Sequence, residues 1–264
     1  MALTIDLSGR VVLITGGTKG VGEAAARRFA EAGADVEICG RNAPDAGDIP
    51  AVFTALDVRK PEQLEAWVAD VQERRGRIDV VVNNAGGSPF GRFEEGSPRY
   101  YAALMELNFL AAAHLARAAY PALRETRGTV INITSISARR PSPGTAIYGA
   151  AKAALENLTR SLGAEWAPDV RVNAVSCGLV GTDSALSHYG DEQQLRDVAA
   201  TIPRGRLAAP GEIADVCVVL ASPFTAHVTG ATINVDGGGE WPSFLAATPN
   251  GDVFGAGGAA RPEA

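Results

Sequence analysis

The sequence predicts an α/β protein, a doubly wound seven-stranded parallel sheet with helices on both faces. Three observations predict it. Short apolar, β-branched runs recur along the chain and end at glycine or polar residues, the pattern of strands buried on both faces. Helical stretches separate these runs, so consecutive strands are joined by crossovers and lie parallel. The first run is followed at once by a glycine-rich turn and a helix. The 264 residues suit one large domain with a sizeable core.

Arg10 to Thr15 (RVVLIT) is the first strand, and Gly16, Gly20 and Gly22 punctuate the turn after it. These glycines permit a tight turn and close approach of backbone to a ligand. The helix from Glu23 to Ala32 then offers free N–H groups and a positive dipole end to a pyrophosphate. Asp35 to Gly40 (DVEICG) is the second strand. An acid at its end would bind the ribose hydroxyls of NAD, whereas an arginine nearby accommodates the 2′-phosphate of NADP. Gly40 and Arg41 stand there, with Lys19 in the glycine loop as a second cation. NADP(H) is therefore expected in preference to NAD(H). Glu37 falls inside the strand and is expected to point away from the site.

The crossover from Arg41 to the third strand, around Ala51 to Leu56, is short enough for one helical turn or none. Asp57, beside Val58, has two readings: contact with an adenine amino group, or a cap on the helix Pro61 to Arg75. Ile78 to Val82 (IDVVV) is the fourth strand, and Asn83-Asn84-Ala85-Gly86 follows at its carboxyl end, where open α/β sheets bind ligands. Ser88 to Ser97 is a loop broken by Gly and Pro. Pro98 to Arg124 is expected to be one long helix, and its Asn108, a poor helix former among Ala and Leu, points to a polar task inside.

Gly128 to Thr134 (GTVINIT) is the fifth strand, ending at Ser135. A loop turns the chain back to a helix from Tyr148 to Trp166. Tyr148 and Lys152 are four residues apart and share one helix face. A phenol ordinarily titrates near ~10, so bringing it to neutrality needs roughly 4 kcal/mol at ~1.4 per unit. A desolvated cation with hydrogen bonds is of that order, and such a tyrosine could exchange a proton with a hydroxyl or carbonyl oxygen. Val170 to Val175 is the sixth strand, residues 184–208 a polar flap, Pro210 to Leu220 a helix, and Ala231 to Val235 the seventh strand. Residues 1–248 form one domain in this reading, with 249–264 a Gly- and Ala-rich flexible tail.

Composition excludes other classes. Twenty-four basic against thirty acidic residues give a net charge of -6, poor for a phosphate backbone, so no nucleic-acid partner is expected. No apolar run reaches the ~18 residues of a membrane span. The N-terminus, MALTIDLSGR, carries no secretory pattern, and a cytoplasmic protein is expected. Cys39, Cys177 and Cys217 lack metal or CxxC spacing, the three histidines are scattered, and no metal site is expected.

Taken together, TGGTKGVG, Asp57-Val58, NNAG, a helix Asn, a Ser thirteen residues before the Tyr, YGAAK and the final VDGG resemble the short-chain dehydrogenase/reductase family over about residues 7–240. The resemblance implies a Rossmann fold and an NADP(H)-dependent oxidoreductase that interconverts a secondary alcohol and a ketone. Tyr148 would be the general acid/base, Ser135 the holder of the substrate oxygen, Lys152 the group that lowers the tyrosine pKa, and Asn108 the support of a proton path. The cofactor would lie against Gly16, Thr18, Lys19, Gly20, Val21 and Gly22, then Arg41, Asp57 and Val58. Asn84, Ala85 and Gly86 would border it, with Tyr148, Lys152, Gly178, Val180 and Thr182 on the nicotinamide side. Asn83 would steady the sheet, and the Asn108 and Tyr148 helices would build a homotetramer. The family's Pro-Gly after the sixth strand is here Cys177-Gly178, with Cys177 read as a packing residue. Substrate contacts, chosen by placement, are Ser88, Phe90, Ser135, Tyr148 and Tyr189, with Gly87, Arg139, Trp241 and Phe244 nearby. Arg139 and Arg140 could meet an anionic substrate, but are expected to be a solvated loop. Other reactions within the family, on a carbon–carbon double bond or on a sugar or steroid ring, remain open, as does a dinucleotide-sensing protein without turnover.

Overall fold

The computed structural model describes residues 4–44, 49–182 and 189–248. Seven parallel strands form one sheet: β1 (Val11–Thr15), β2 (Asp35–Gly40), β3 (Val52–Ala55), β4 (Val80–Asn83), β5 (Thr129–Ser135), β6 (Arg171–Cys177) and β7 (Thr232–Val235). Their order is β3-β2-β1-β4-β5-β6-β7. The chain runs outward from β1 to β3, then returns to start β4 on the other side of β1. The carboxyl ends of β1 and β4 therefore diverge into a crevice, the ligand position of such sheets.

Both faces are covered, and β1 shows how. Side chains alternate along a strand. Val11 and Leu13 pack with Leu64, Val71, Leu115 and Leu123, from helices α2 (Pro61–Arg75) and α4 (Ala111–Thr126). Val12 and Ile14 pack with Phe29, Ile213 and Cys217 of the opposite layer. That layer is α1 (Gly20–Glu31) and α7 (Pro210–Ala221). Glu37, inside β2, is fully buried and turned away from the crevice as expected, held by Arg74 and Arg75 of α2.

The expected helix from Pro98 to Arg124 is not continuous. Helix α3 (Pro98–Met105) runs into a π-helical turn, Glu106–Leu110, before α4. The Ala111 N–H reaches Glu106 O, five residues back. Within this stretch the Leu104 carbonyl accepts from Asn108 Nδ2 at 3.0 Å. The polar residue thus marks a break in the helix. Helix α5 begins at Ala146, so Tyr148 lies in its first turn, and it ends at Glu165.

The expected flap, 184–208, is partly fixed. Residues 183–188 lie outside the described residues. After them α6 (Glu192–Ala200) is opened by a capping box of Asp191 and Gln194. Ile202 is buried, and Thr201 O accepts from Trp241 N at 2.9 Å. The expected tail, 249–264, also lies outside the described residues. Among the described residues no helix is long and apolar enough to cross a membrane.

Candidate active site

The crevice is stitched by hydrogen bonds between the ends of β1 and β4. Thr15 Oγ1 accepts from the Asn84 and Ala85 N–H groups, both at 3.0 Å. Asn84 Nδ2 donates to Thr15 O at 2.9 Å and Gly16 O at 3.1 Å. This leaves no room for a side chain at Gly22, where a Cβ would lie 2.1 Å from Gly16 O and 2.4 Å from Asn84 Nδ2. Gly16 and Gly20 hold φ of 65° and 56°, which favours glycine. Helix α1 opens behind Lys19 with no side-chain cap, so its first N–H groups face the loop unpartnered by a cap. Such a cradle fits a pyrophosphate.

Thr18 flanks Gly40 at the end of β2, where a glycine Cβ would touch Thr18 Cγ2 at 3.4 Å. Lys19 and Arg41 are exposed, Val21 is half-buried and Val58 is buried. Asp57 does not cap α2, which starts behind Lys60. Its carboxylate is gripped by Arg59, with Nε at 3.0 Å and Nη2 at 2.5 Å. These bonds, with Arg41 adding a weaker attraction, hold Asp57 below the usual carboxylate range. The arginine two residues on outcompetes the helix end for that carboxylate.

At the other side of the crevice Asn108, Ser135, Tyr148 and Lys152 come together. Asn108 is buried; its Oδ1 accepts from Gly87 N at 2.8 Å and its Nδ2 donates to Gly87 O at 2.9 Å. A Cβ on Gly86 would lie 2.8 Å from Asn108 Oδ1 and 3.1 Å from Lys152 Nζ, so Gly86 admits both groups to one spot. Asn83 ties the sheet below, donating to Asn132 Oδ1 at 2.8 Å. Ser135 ends β5, and its hydroxyl accepts from Ser137 N at 3.2 Å while lying near enough to the Tyr148 phenol to draw its pKa down. Lys152 is 3% exposed, its Nζ donating to Ile133 O at 2.9 Å and lying 5.7 Å from the centre of the Tyr148 ring.

The electrostatics correct one expectation. Lys152 was expected to lower the Tyr148 pKa. Burial instead raises that phenol above its ordinary value, opposed by the Ser135 hydroxyl. The Lys152 ammonium is engaged with the Ile133 carbonyl and the ring face, and burial depresses its own pKa to about 8. Cys177 lies close enough to feel both groups, yet burial pushes its thiol up to about 12. It is a neutral packing residue, as read from the sequence. Gly178 runs against Asp236, Val180 bridges to Ala208, and the Thr182 methyl lies within 3.3 Å of where a Gly20 Cβ would stand. The Cys177–Thr182 segment therefore passes along the cradle.

The two arginines after Ser135 are not a solvated loop. Arg139 Nε donates to the buried Glu156 at 3.0 Å, and its Nη1 to Asn234 Oδ1 at 2.6 Å. Glu156 also accepts from Thr134 Oγ1 at 3.2 Å. Arg140 Nε lies 2.8 Å from Glu240 Oε2. Each guanidinium finds a carboxylate supplied by a distant segment, which outweighs hydration. Glu156 and Glu240 escaped sequence reasoning. Glu156 was findable, one helical turn beyond Lys152 on the same helix face; Glu240 carried no local signal.

Among the substrate candidates, Ser88 Oγ bonds Pro89 O at 3.0 Å. Phe90, 76% exposed, lies over Gly144 in the loop before Tyr148. Tyr189 is close enough to act electrostatically on Tyr148 and to feel Arg140 and Glu240. Phe244 is exposed. Among the described residues no group of three His, Cys, Asp or Glu is placed to hold a metal.

Comparison with known proteins adds to this geometry. Residues 16–240 match a family model described as enoyl-(acyl carrier protein) reductase. The chain is 36% identical over 251 residues to L-fucose dehydrogenase of Bos taurus, covering 91% of this chain and 93% of that protein. It is 34% identical over 242 residues to a 3-oxoacyl-(acyl-carrier-protein) reductase of Vibrio cholerae, covering 89% and 98%. Its fold matches the ligand-free aldohexose dehydrogenase of Thermoplasma acidophilum with a TM-score of 0.84 and 28% identity, over 89% of this chain and 96% of that one.

Proposed function

The chain belongs to the short-chain dehydrogenase/reductase family, and from that premise we propose that it is an NADP(H)-preferring dehydrogenase that interconverts a secondary hydroxyl and a carbonyl, with sugars as its substrate class. The observation that carries this reading is the convergence of Tyr148, Lys152 and Asn108 beside the glycine cradle, with Lys152 Nζ buried 5.7 Å from the centre of the Tyr148 ring and Gly86 making room for it next to Asn108. The L-fucose and aldohexose dehydrogenases among its relatives favour a sugar hydroxyl.

The α1 N-terminus and Gly16, Gly20 and Gly22 hold the pyrophosphate. Lys19 and Arg41, at a strand end with Gly40 in place of an acid, hold the 2′-phosphate. Asp57 and Val58 border the adenine, Asn84, Ala85 and Gly86 the ribose, and Gly178, Val180 and Thr182 the nicotinamide. The nicotinamide, when bound, supplies or accepts the hydride. Ser135 donates to the substrate oxygen and shares its developing charge. Tyr148 gives that oxygen a proton in reduction and removes one in oxidation. Lys152, protonated below about pH 8, adds positive charge beneath the phenol. Asn108, clamped to Gly87 and Leu104, fixes the wall through which the proton reaches solvent. The subunits assemble as a homotetramer through α4 and α5.

Because burial raises the Tyr148 pKa, the phenol is a ready acid and a reluctant base at neutrality. Oxidation therefore accelerates as pH rises above neutrality, while reduction does not. The cofactor preference is tested by Arg41→Ala: KM for NADP+ rises at least tenfold and KM for NAD+ changes less than threefold. Equal changes for the two cofactors contradict the assignment.

A further inference from the structure

Two charged side chains beside the proton-transfer set have no part in that chemistry. Arg140 lies in the loop that joins Ser135 to Tyr148, and Glu240 follows β7. Arg140 Nε stands 2.8 Å from Glu240 Oε2, and both side chains are about one-third exposed. The contact is one of charge: Arg140 Nε is shut off from solvent but makes no aligned hydrogen bond, while Nη1 donates to Pro141 O at 3.0 Å. The segment carrying Glu240 closes on the residue after Ser135, since a Cβ on Gly239 would lie 3.8 Å from Ile136 Cδ1. Tyr189 interacts electrostatically with this pair and with Tyr148.

We propose that Arg140 and Glu240 form a hydroxyl-reading subsite that admits a neutral, polyhydroxylated ring and disfavours an anionic substrate. The inference rests on the dehydrogenase reading above and adds what the pocket recognises. A carboxylate accepts hydrogen bonds from adjacent hydroxyls, and a guanidinium donates to hydroxyl or ring oxygens. A vicinal diol offers both functions and satisfies both partners. A ring without hydroxyls leaves the charged pair desolvated and without new partners, the situation in which hydrogen-bonding sites discriminate most strongly. An anion gains little, because Glu240 neutralises Arg140 and repels added negative charge, while Arg139 is held by Glu156.

The test measures kcat/KM for oxidation of L-fucose, D-galacturonate and cyclohexanol with NADP+, in wild type and Glu240→Gln. The expected wild-type order has L-fucose at least tenfold above the other two. In Glu240→Gln the ratio of L-fucose to cyclohexanol falls about 10- to 100-fold, the range of a lost charged hydrogen bond. General damage to the fold lowers both rates and leaves that ratio unchanged, so an unchanged ratio in an active variant overturns the subsite. Should Glu240→Gln fail to fold, Arg140→Gln is read by the same ratio. Wild type that oxidises cyclohexanol or galacturonate as well as L-fucose overturns the subsite and leaves the dehydrogenase reading intact. Wild type that binds NADPH but oxidises none of the three contradicts both.

Discussion

The two sides of the crevice are built by different means. On the cofactor side, backbone does the work: Gly16, Gly20 and Gly22 turn under Asn84, and a single added Cβ at Gly22 would overlap the Gly16 carbonyl. On the substrate side, side chains do it: the loop from Ile136 to Thr145 is fastened by Arg139 to Glu156 and by Arg140 to Glu240. The first construction tolerates no change of shape. The second is held by ionic contacts, of which the Arg140–Glu240 pair, about one-third exposed on both sides, trades partners cheaply. A rigid backbone cradle and a more adaptable side-chain wall thus face each other across one crevice.

The contrast predicts graded responses. Gly22→Ala has the largest effect, since the overlap is with backbone and cannot relax locally. Affinity for NADPH falls at least 100-fold by titration calorimetry, with a stability loss of about 1–3 kcal/mol; unaltered affinity would show that the cradle is not where the cofactor lies. Lys152→Met comes next and depends on pH. Burial lowers the lysine pKa from 10.5 to about 8, so the folded protein holds that proton less tightly than the unfolded chain. The resulting penalty, about 3 kcal/mol at ~1.4 per unit, is complete below pH 8 and fades between pH 8 and 10.5. In urea unfolding without cofactor, wild type therefore gains up to that amount on Lys152→Met between pH 7 and 10.5. A constant gap contradicts the buried-charge account.

Glu156→Gln should cost about 2 kcal/mol, less than a fully buried ion pair because Arg139 is half-exposed. Its kcat falls about tenfold as Ser135 loses its fixed position against Tyr148, while cofactor affinity stays within twofold. A loss confined to cofactor binding would place the Glu156 network on the wrong side of the crevice. The smallest effect is at Gly91, on the substrate side, where a Cβ meets nothing within 4 Å at an ordinary φ. Gly91→Ala changes stability by no more than about 0.5 kcal/mol. A large loss there would erase the contrast.

Features fixed by local backbone constraints were legible in the sequence. The strand β5 and the glycine turn are contiguous patterns, and their order alone implies the crevice. Asn108 was recognised as a polar residue out of place, but not the π-helical turn it occupies, because one extra residue in a turn scarcely disturbs the apolar pattern of Ala111, Leu115 and Ala119. Of the two readings of Asp57, the helix cap fails because Arg59, two residues away, holds the carboxylate. Arg139 and Arg140 looked solvated because Glu156 and Glu240 reach them only through folding. The Tyr148–Lys152 spacing was correct as geometry, yet its electrostatic consequence depends on burial and on Ile133 O, which no spacing encodes.

Proton transfer by Tyr148 is decided by comparing kcat of wild type and Tyr148→Phe on the alcohol that wild type oxidises fastest, with NADP+ affinity measured alongside. If Tyr148 moves the proton, kcat falls about 10²- to 10⁴-fold, with cofactor affinity within threefold of wild type. A kcat within threefold of wild type would contradict it and assign the proton to another group.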